Sequence, residues 1–148
     1  MSQDQIQLDS LALEELEGLR EQLQQEVNAL VQNAMVLQQT AAKFAGSGKA
    51  VEQLKTQQQG TAALVPLTES LYVTAELDSV ERVLLEVGAG YYVERSVEQG
   101  VDYCRRKVLL IKEKSEQLSK LIQSRQGALQ QVSMIAERKA AAAKAQTA

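Results

Sequence analysis

LVPLTESLYVTAEL (residues 64–77) and RVLLEVGAGYYVERS (residues 82–96) together decide the fold. Both stretches are made of short β-branched and aromatic runs separated by turn residues, a pattern typical of strands joined by hairpin turns. Pro66 cannot donate a ladder hydrogen bond, so the first run is predicted to be an edge strand. Gly88 and Gly90 provide the positive φ angles that a tight turn needs. The predicted strands are residues 64–67, 71–77, 82–87 and 91–96.

The segment before this β-module carries a heptad pattern and is predicted to form a helix over residues 8–59. Gly46 and Gly48 interrupt the pattern with two poor helix formers, each costing roughly 1 kcal/mol, so we expect a kink or a loosened turn there. The apolar positions are spaced three or four residues apart, as in a coiled-coil seam. They are Leu16, Leu19, Leu23, Val27, Leu30, Ala34, Leu37, Ala41 and Phe44.

The segment after the β-module is predicted to form a second helix over residues 97–145, with an unbroken 3-4 apolar repeat. Ser115 and Arg125 are the two polar residues in its seam. The remaining seam residues are Val101, Cys104, Val108, Ile111, Leu118, Ile122, Leu129, Val132 and Ala136.

The two helices form two arms of nearly equal length. Their similar lengths and the opposite charges of their free ends favour antiparallel pairing within one chain. Residues 1–26 carry seven acids and one base, whereas residues 125–148 carry four bases and one acid. Such exposed charges contribute little stability but help to select orientation. The predicted fold is therefore mainly α: one domain over residues 1–148, a long antiparallel coiled-coil hairpin with two small β-hairpins over residues 60–96 at its bend.

The β-module predicts assembly with other chains, because short hairpins leave open edges and are marginal alone in water. Nothing in this part of the sequence supplies a covering helix, so the apolar alternation should meet strands of other subunits. The candidate assembly residues are Val65, Leu67, Leu71, Val73, Val83, Leu85, Val87, Tyr91 and Val93.

The composition argues against catalysis and against a metal site. The chain contains no His and only one Cys, Cys104, so the commonest general base and any multi-thiolate site are excluded. We predict no enzyme activity and no cofactor. The GxG in VGAGYYV lacks the third glycine of a dinucleotide-binding loop and is interpreted as a hairpin turn. No apolar run approaches the length of a membrane span. A cytoplasmic protein is predicted, with a nuclear location left open.

Apolar residues are in surplus at the free ends of the predicted arms. Some fall outside the strict seam and should stay exposed or meet another molecule. A flexible apolar tip that contains Met suits promiscuous contact with non-native chains. The alternative is that these residues continue the intrachain seam. The candidate client-binding residues are Leu8, Leu11, Leu13, Leu16, Leu19, Val132, Met134 and Ile135.

The segments VPLT, LYV and VGAGYYVE resemble the α class of the prefoldin family, most specifically over residues 64–107. The resemblance implies two β-hairpins per chain, and a hetero-hexamer of two α-class and four β-class subunits. It also implies a co-chaperone that holds unfolded polypeptides such as nascent actin and tubulin without ATP and delivers them to the cytosolic chaperonin.

A coiled-coil scaffold or adaptor subunit of a prefoldin-like or transcription-associated complex is the alternative function. Direct binding of nucleic acid is not predicted. The basic residues of the second arm are interleaved with seam positions, and no aromatic stacking platform accompanies them. A membrane is not predicted as a partner.

Overall fold

A computed structural model describes residues 8–147 of the chain, with side chains over residues 8–145. These residues form two long helices with four short strands between them. Helix α1 spans Leu13–Gln53 and is followed by a 3-10 turn, Leu54–Thr56. The strands are β1 (Ala62–Pro66), β2 (Tyr72–Glu76), β3 (Arg82–Gly88) and β4 (Tyr91–Ser96). Helix α2 spans Val97–Thr147. The predicted mainly helical fold with two β-hairpins is confirmed.

Two compact units divide the chain. The terminal unit contains the described parts of Met1–Gln38 and Glu113–Ala148, and the central unit is Gln39–Lys112. Segments of α1 and α2 pair antiparallel in each. In the terminal unit Glu26 meets Arg125 while Asp9 meets Arg138.

The terminal unit buries one narrow stripe of each helix. Its core contains Leu16, Leu23, Val132, Ile135 and Ala136, all from the predicted seam or next to it. Arg125, one of the predicted polar residues, places Nε 3.0 Å from Glu26 Oε1, without the alignment of a hydrogen bond. The heptad pattern therefore identified the buried face of both helices, and the polar interruption is matched by an acid on the partner helix.

The central unit packs its helices closely at small residues. A Cβ placed on Gly48 would lie 3.2 Å from Cys104 Cβ. Beside this contact, the rings of Phe44 and Tyr103 meet edge to face with centroids 6.4 Å apart. The loosened turn expected at Gly46 and Gly48 is wrong, because α1 runs helical through both. The approach of α2 at Gly48 stabilises a stretch whose intrinsic helix propensity is low.

The four strands form two separate antiparallel hairpins, β1–β2 and β3–β4. Val65 opposes Val73 in the first hairpin, and Leu85 opposes Val93 in the second. A bulge at Val87 precedes the turn, where Ala89 (φ 49°) and Gly90 (φ 76°) both have positive φ, as a type I′ turn requires. The positive φ angles predicted for Gly88 and Gly90 are confirmed.

The predicted boundaries are accurate at the second hairpin and inaccurate at the first helix. That helix begins at Leu13 rather than residue 8 and ends at Gln53 rather than residue 59. Glu15 accepts a hydrogen bond from the Ala12 N–H at 2.8 Å, which caps the helix there. Helix α2 begins with a complete capping box: Ser96 Oγ accepts from the Gln99 N–H, and Gln99 Oε1 accepts from the Ser96 N–H, both at 3.2 Å.

The second hairpin joins the helix pair at Gly100. A Cβ at this position would lie 2.9 Å from Val83 Cγ2 and 3.3 Å from Val51 Cγ1, so α1, α2 and β3 converge where only hydrogen fits. Both neighbours are β-branched and stiff at χ1, so they cannot turn aside. Gly100 is therefore required by packing, although it lies inside a helix.

We predict that Gly100→Ala lowers the thermal unfolding midpoint of the chain, while Gly46→Ala raises it. Both changes gain about 1 kcal/mol of helix propensity. Nothing lies within 4 Å of a Cβ at Gly46, whereas overpacking at Gly100 costs about 1–3 kcal/mol. Circular dichroism at 222 nm measures both midpoints. Equal stabilisation by the two variants would contradict the convergence at Gly100.

We also predict that Cys104 reports on the opening of this unit. Its side chain is buried, and that burial raises the pKa of the thiol above its ordinary value of 9.0. The folded state therefore keeps the thiol protonated to higher pH than the unfolded chain does. The contribution of this proton to the free energy of unfolding is present below pH 9 and is lost as pH rises through the folded pKa. Iodoacetamide should alkylate native Cys104 far more slowly than the unfolded chain. The high-pH loss of stability should be smaller in Cys104→Ala, and equal losses in both chains would contradict the assignment.

Candidate functional site

The first hairpin exposes apolar side chains on both of its faces. Val65, Val73, Leu67 and Leu71 lie on one side, and Leu67 and Leu71 are joined where the Leu67 N–H donates to the Leu71 carbonyl at 2.8 Å. Leu64 and Tyr72 lie on the other side and are also exposed. A free two-stranded ribbon with apolar groups on both faces is marginal in water. Because the sheet of the first hairpin has only two strands, the outer edge of each strand has no neighbouring strand to accept or donate its backbone hydrogen bonds.

The second hairpin has one face turned to its own chain and one turned outward. Val83 and Leu85 approach Gly100, so the expectation that no helix covers these strands is wrong for this face. Val93, the partner of Leu85, lies on the same side and is half-buried. On the opposite side Leu84 is 71% exposed and Tyr92 is 64% exposed.

Six of the nine candidate assembly residues are therefore exposed. Three others pack within the chain. The exposed ones are Val65, Leu67, Leu71, Val73, Val87 and Tyr91, and the inward ones are Val83, Leu85 and Val93. The assembly role of all nine stays a prediction. The sequence analysis missed Leu64, Tyr72, Leu84 and Tyr92, although the strict alternation of the strands places them on the opposite faces.

An open groove of about 680 Å³ lies between the inner face of the second hairpin and the start of α2. Leu85, Val87 and Val93 form its apolar side. On its polar side Asp102 accepts hydrogen bonds from Arg105 and from Arg106 Nε, the latter at 2.8 Å. These guanidinium groups, Arg105 first, hold the pKa of the Asp102 carboxyl below its ordinary value. A carboxylate held in this way is a weak base.

The candidate client-binding residues lie in the terminal unit, but most of them are not exposed. Leu16, Val132 and Ile135 belong to its buried core, and Leu16 is fully inaccessible. Leu8, Leu11, Leu13 and Leu19 are partly buried against that core. Of the eight, Met134 alone is exposed, at 56%. The expectation of an exposed apolar surplus is therefore wrong for most of this set, while the client-binding role itself stays a prediction.

The described residues contain neither a membrane span nor a metal-binding cluster. No helix in this part of the chain is long and apolar enough to cross a membrane. Over the same residues, no group of three or more Cys, Asp or Glu side chains is arranged to hold a metal ion.

The architecture of two helices and two hairpins matches a known family. A family model described as "Prefoldin subunit" covers residues 12–142, nearly the whole chain.

This chain belongs to the prefoldin family.

Prefoldin relatives align over most of their length with this chain. Probable prefoldin subunit 5 from Dictyostelium discoideum is 36% identical, and the match covers 99% of this chain and 91% of that one. Prefoldin subunit 5 from Homo sapiens is 35% identical, over 86% and 82%. Prefoldin subunit 5 from Arabidopsis thaliana is 31% identical, over 90% and 88%. The chain is accordingly a prefoldin co-chaperone subunit, which assembles with other prefoldin subunits.

A solved prefoldin structure has the same fold. One chain in a cryo-EM structure of filamentous PFD from Methanocaldococcus jannaschii matches with a TM-score of 0.68, covering 77% of this chain and 93% of that chain. The sequence identity is 20%, so this likeness concerns the fold alone.

We predict that Leu71→Asp prevents this prefoldin subunit from joining its complex. The substitution places a carboxylate on the exposed apolar face of the first hairpin. Burial of this face against another subunit would leave the carboxylate buried and unpaired, which is costly. Native mass spectrometry after co-expression with the other subunits measures incorporation. Leu121→Asp is the matched control, since Leu121 is also exposed but lies on α2 in the terminal unit. Normal incorporation of Leu71→Asp would show that this face is not an assembly surface.

Proposed function

We propose that this chain is an α-class subunit of a hetero-hexamer with two α-class and four β-class subunits. The observation that carries the proposal is the pair of separate hairpins with exposed Leu64, Leu71, Leu84 and Tyr92. One hairpin could be covered by one neighbour, whereas two hairpins require two assembly surfaces. A subunit of this kind joins neighbours on both sides.

The hexamer holds unfolded polypeptides, with nascent actin and tubulin as the proposed clients, and delivers them to the cytosolic chaperonin. It works in the cytoplasm, with the nucleus as the second compartment to test. The subunit performs no catalysis. Asp102 in the groove beside α2 supports this part of the proposal, because its carboxylate is paired with Arg105 and Arg106 and is not poised to move a proton. Client holding therefore depends on surfaces rather than on a reaction.

The client surfaces are proposed to lie in the terminal unit, at the exposed Met134 and at the partly buried leucines Leu8, Leu11, Leu13 and Leu19. Several weak apolar contacts from six subunits can hold a non-native chain through effective concentration, with no single tight pocket. Met suits such contacts because its side chain is flexible and polarisable.

An adaptor subunit within a prefoldin-like or transcription-associated complex is the second candidate function. It requires the same hairpins but not the client surfaces. Purification of the tagged chain from the organism that encodes it, followed by mass spectrometry of its partners, separates the two. Five co-purifying prefoldin subunits together with actin or tubulin support the co-chaperone, whereas a set of transcription proteins supports the adaptor.

We predict that a hexamer reconstituted with this chain suppresses the aggregation of denatured actin equally well with ATP and after ATP removal by apyrase. Light scattering during dilution from denaturant measures the suppression. Hexamers with Met134→Asp should protect less, because a charge replaces an exposed apolar contact, and those with Leu121→Asp should protect normally. Protection that depends on ATP, or absence of protection by the intact hexamer, would contradict the proposed function.

A further inference from the structure

A short segment, residues 8–12, precedes α1 and has a defined conformation of its own; we term it the strap. Residues 8–10 are helical, and the Leu11 N–H donates to the Leu8 carbonyl at 3.3 Å. The Glu15 carboxylate then accepts from the Ala12 N–H, which fixes the junction between the strap and the helix. The strap therefore returns to the helix pair instead of extending away from it.

The strap covers the core of the terminal unit, which we term the tip core: Leu16, Leu23, Val132, Ile135 and Ala136. Leu8 and Leu11 pack against it. A pair of helices buries only the stripe that each turns to the other, so the strap provides a third apolar surface over this end of the seam. Val132 is 2% exposed and Leu16 is inaccessible with the strap in place.

Exposed polar contacts hold the strap. The Arg138 guanidinium donates to the Asp9 carboxylate, and Lys139 Nζ donates to the backbone carbonyl of Asp9 at 2.8 Å and to that of Leu11. The Arg138–Asp9 ion pair is exposed, and exposed ion pairs contribute little stability. The strap is thus held by two leucines and by a cationic clasp, Arg138 with Lys139. Its release would uncover the tip core and free both cations for another acidic group.

We propose that the strap is an intramolecular stand-in for client, and that the tip core with its cationic clasp binds leucine-containing acidic segments of unfolded polypeptides. The inference rests on the proposed client-holding function and deepens it. The strap, which occupies the site, indicates the side-chain pattern that the site binds. In the strap, Leu8 and Leu11 are spaced by three residues, with the Asp9 carboxylate between them. A client segment of the same pattern replaces the strap on the same contacts, whereas a basic segment is repelled by Arg138 and Lys139.

Competition by the strap sets the strength of binding. A tether this short gives the strap an effective concentration in the millimolar range, so one weak client segment cannot displace it. A long unfolded chain with several such segments, held by other subunits of the complex, competes at a similar effective concentration. The strap therefore favours extended non-native chains over short peptides and folded surfaces.

The test uses the hexamer and a fluorescein-labelled peptide with the sequence of residues 8–13, LDSLAL. Fluorescence anisotropy measures its binding to hexamers that contain the unaltered chain or the Leu8→Ser/Leu11→Ser variant. We expect at least tenfold tighter binding to this variant, since the competing strap no longer occupies the tip core. The matched control is Leu109→Ser/Leu110→Ser, which removes two exposed leucines of α2 elsewhere and should leave binding at the unaltered level.

Charge selectivity is tested with a second peptide, LKSLAL, in which Lys replaces the residue equivalent to Asp9. It should bind the Leu8→Ser/Leu11→Ser hexamer several-fold more weakly than LDSLAL. In Arg138→Glu/Lys139→Glu hexamers the order should reverse, because the clasp becomes acidic. Arg138 is exposed and Lys139 is half-buried, and neither belongs to the tip core. This variant therefore carries the test where native mass spectrometry shows that the serine variant fails to assemble.

Two outcomes would show that the strap is only a helix cap. One is equal LDSLAL binding by the unaltered and strap-released hexamers. The other is equal binding of LDSLAL and LKSLAL, both by hexamers with the unaltered clasp and by those with Arg138→Glu/Lys139→Glu. Either outcome refutes this inference while leaving actin protection by the unaltered hexamer, and hence the proposed function, intact. Conversely, selective peptide binding by a hexamer that protects no client would refute the proposed function and retain the peptide site.

Discussion

A pair of helices can bury only one stripe of each, and this constraint decides where the remaining apolar side chains of the chain must lie. In the terminal unit the stripe includes Leu16, Leu23 and Val132, and in the central unit it includes Cys104 and Ile111. Apolar residues beyond the stripe need another cover or remain in water. The strap provides that cover in the terminal unit. The hairpins of the central unit have no equivalent over Leu64, Leu71 or Leu84, which is why assembly is the natural role of that unit.

The helical part of the fold was predictable because heptad spacing depends on local sequence alone. What spacing cannot show is how closely two helices approach. Gly48 was read as a helix breaker, but it lies where α2 brings Cys104 against α1, and tertiary packing outweighs a propensity penalty of about 1 kcal/mol. The same reasoning applies to Gly100, whose role depends on Val51 and Val83, residues distant in sequence.

The candidate sites were predicted less well, for two physical reasons. Alternation along β3 separates Val83 and Leu85 from Leu84, but it does not say which of the two faces meets a helix. The surplus of leucines before α1 was counted against a two-helix seam, whereas Leu8 and Leu11 belong to a third element. A local signal for that element exists: Glu15 follows Ala12 by three residues, and Leu11 and Leu16 occupy the positions of a hydrophobic staple.

Heptad repeats also leave a problem of register, since a helix moved by seven residues along its partner meets an almost identical stripe. The contacts that break the repeat resolve this problem separately in each unit. In the terminal unit a shifted register would separate Arg125 from Glu26, and such an ion pair helps to select the alignment although it contributes little stability. In the central unit the close approach of Cys104 falls at Gly48, which has no side chain to crowd it.

These exceptions to the pattern therefore give each seam one alignment. Each alignment has a functional consequence within its own unit. Asp9 reaches Arg138 only when the strap and α2 are in register, and β3 reaches Gly100 only when the helices beside it are aligned. The polar and small residues that weaken the repeat are thus the ones that position the surfaces on which assembly and client contact depend.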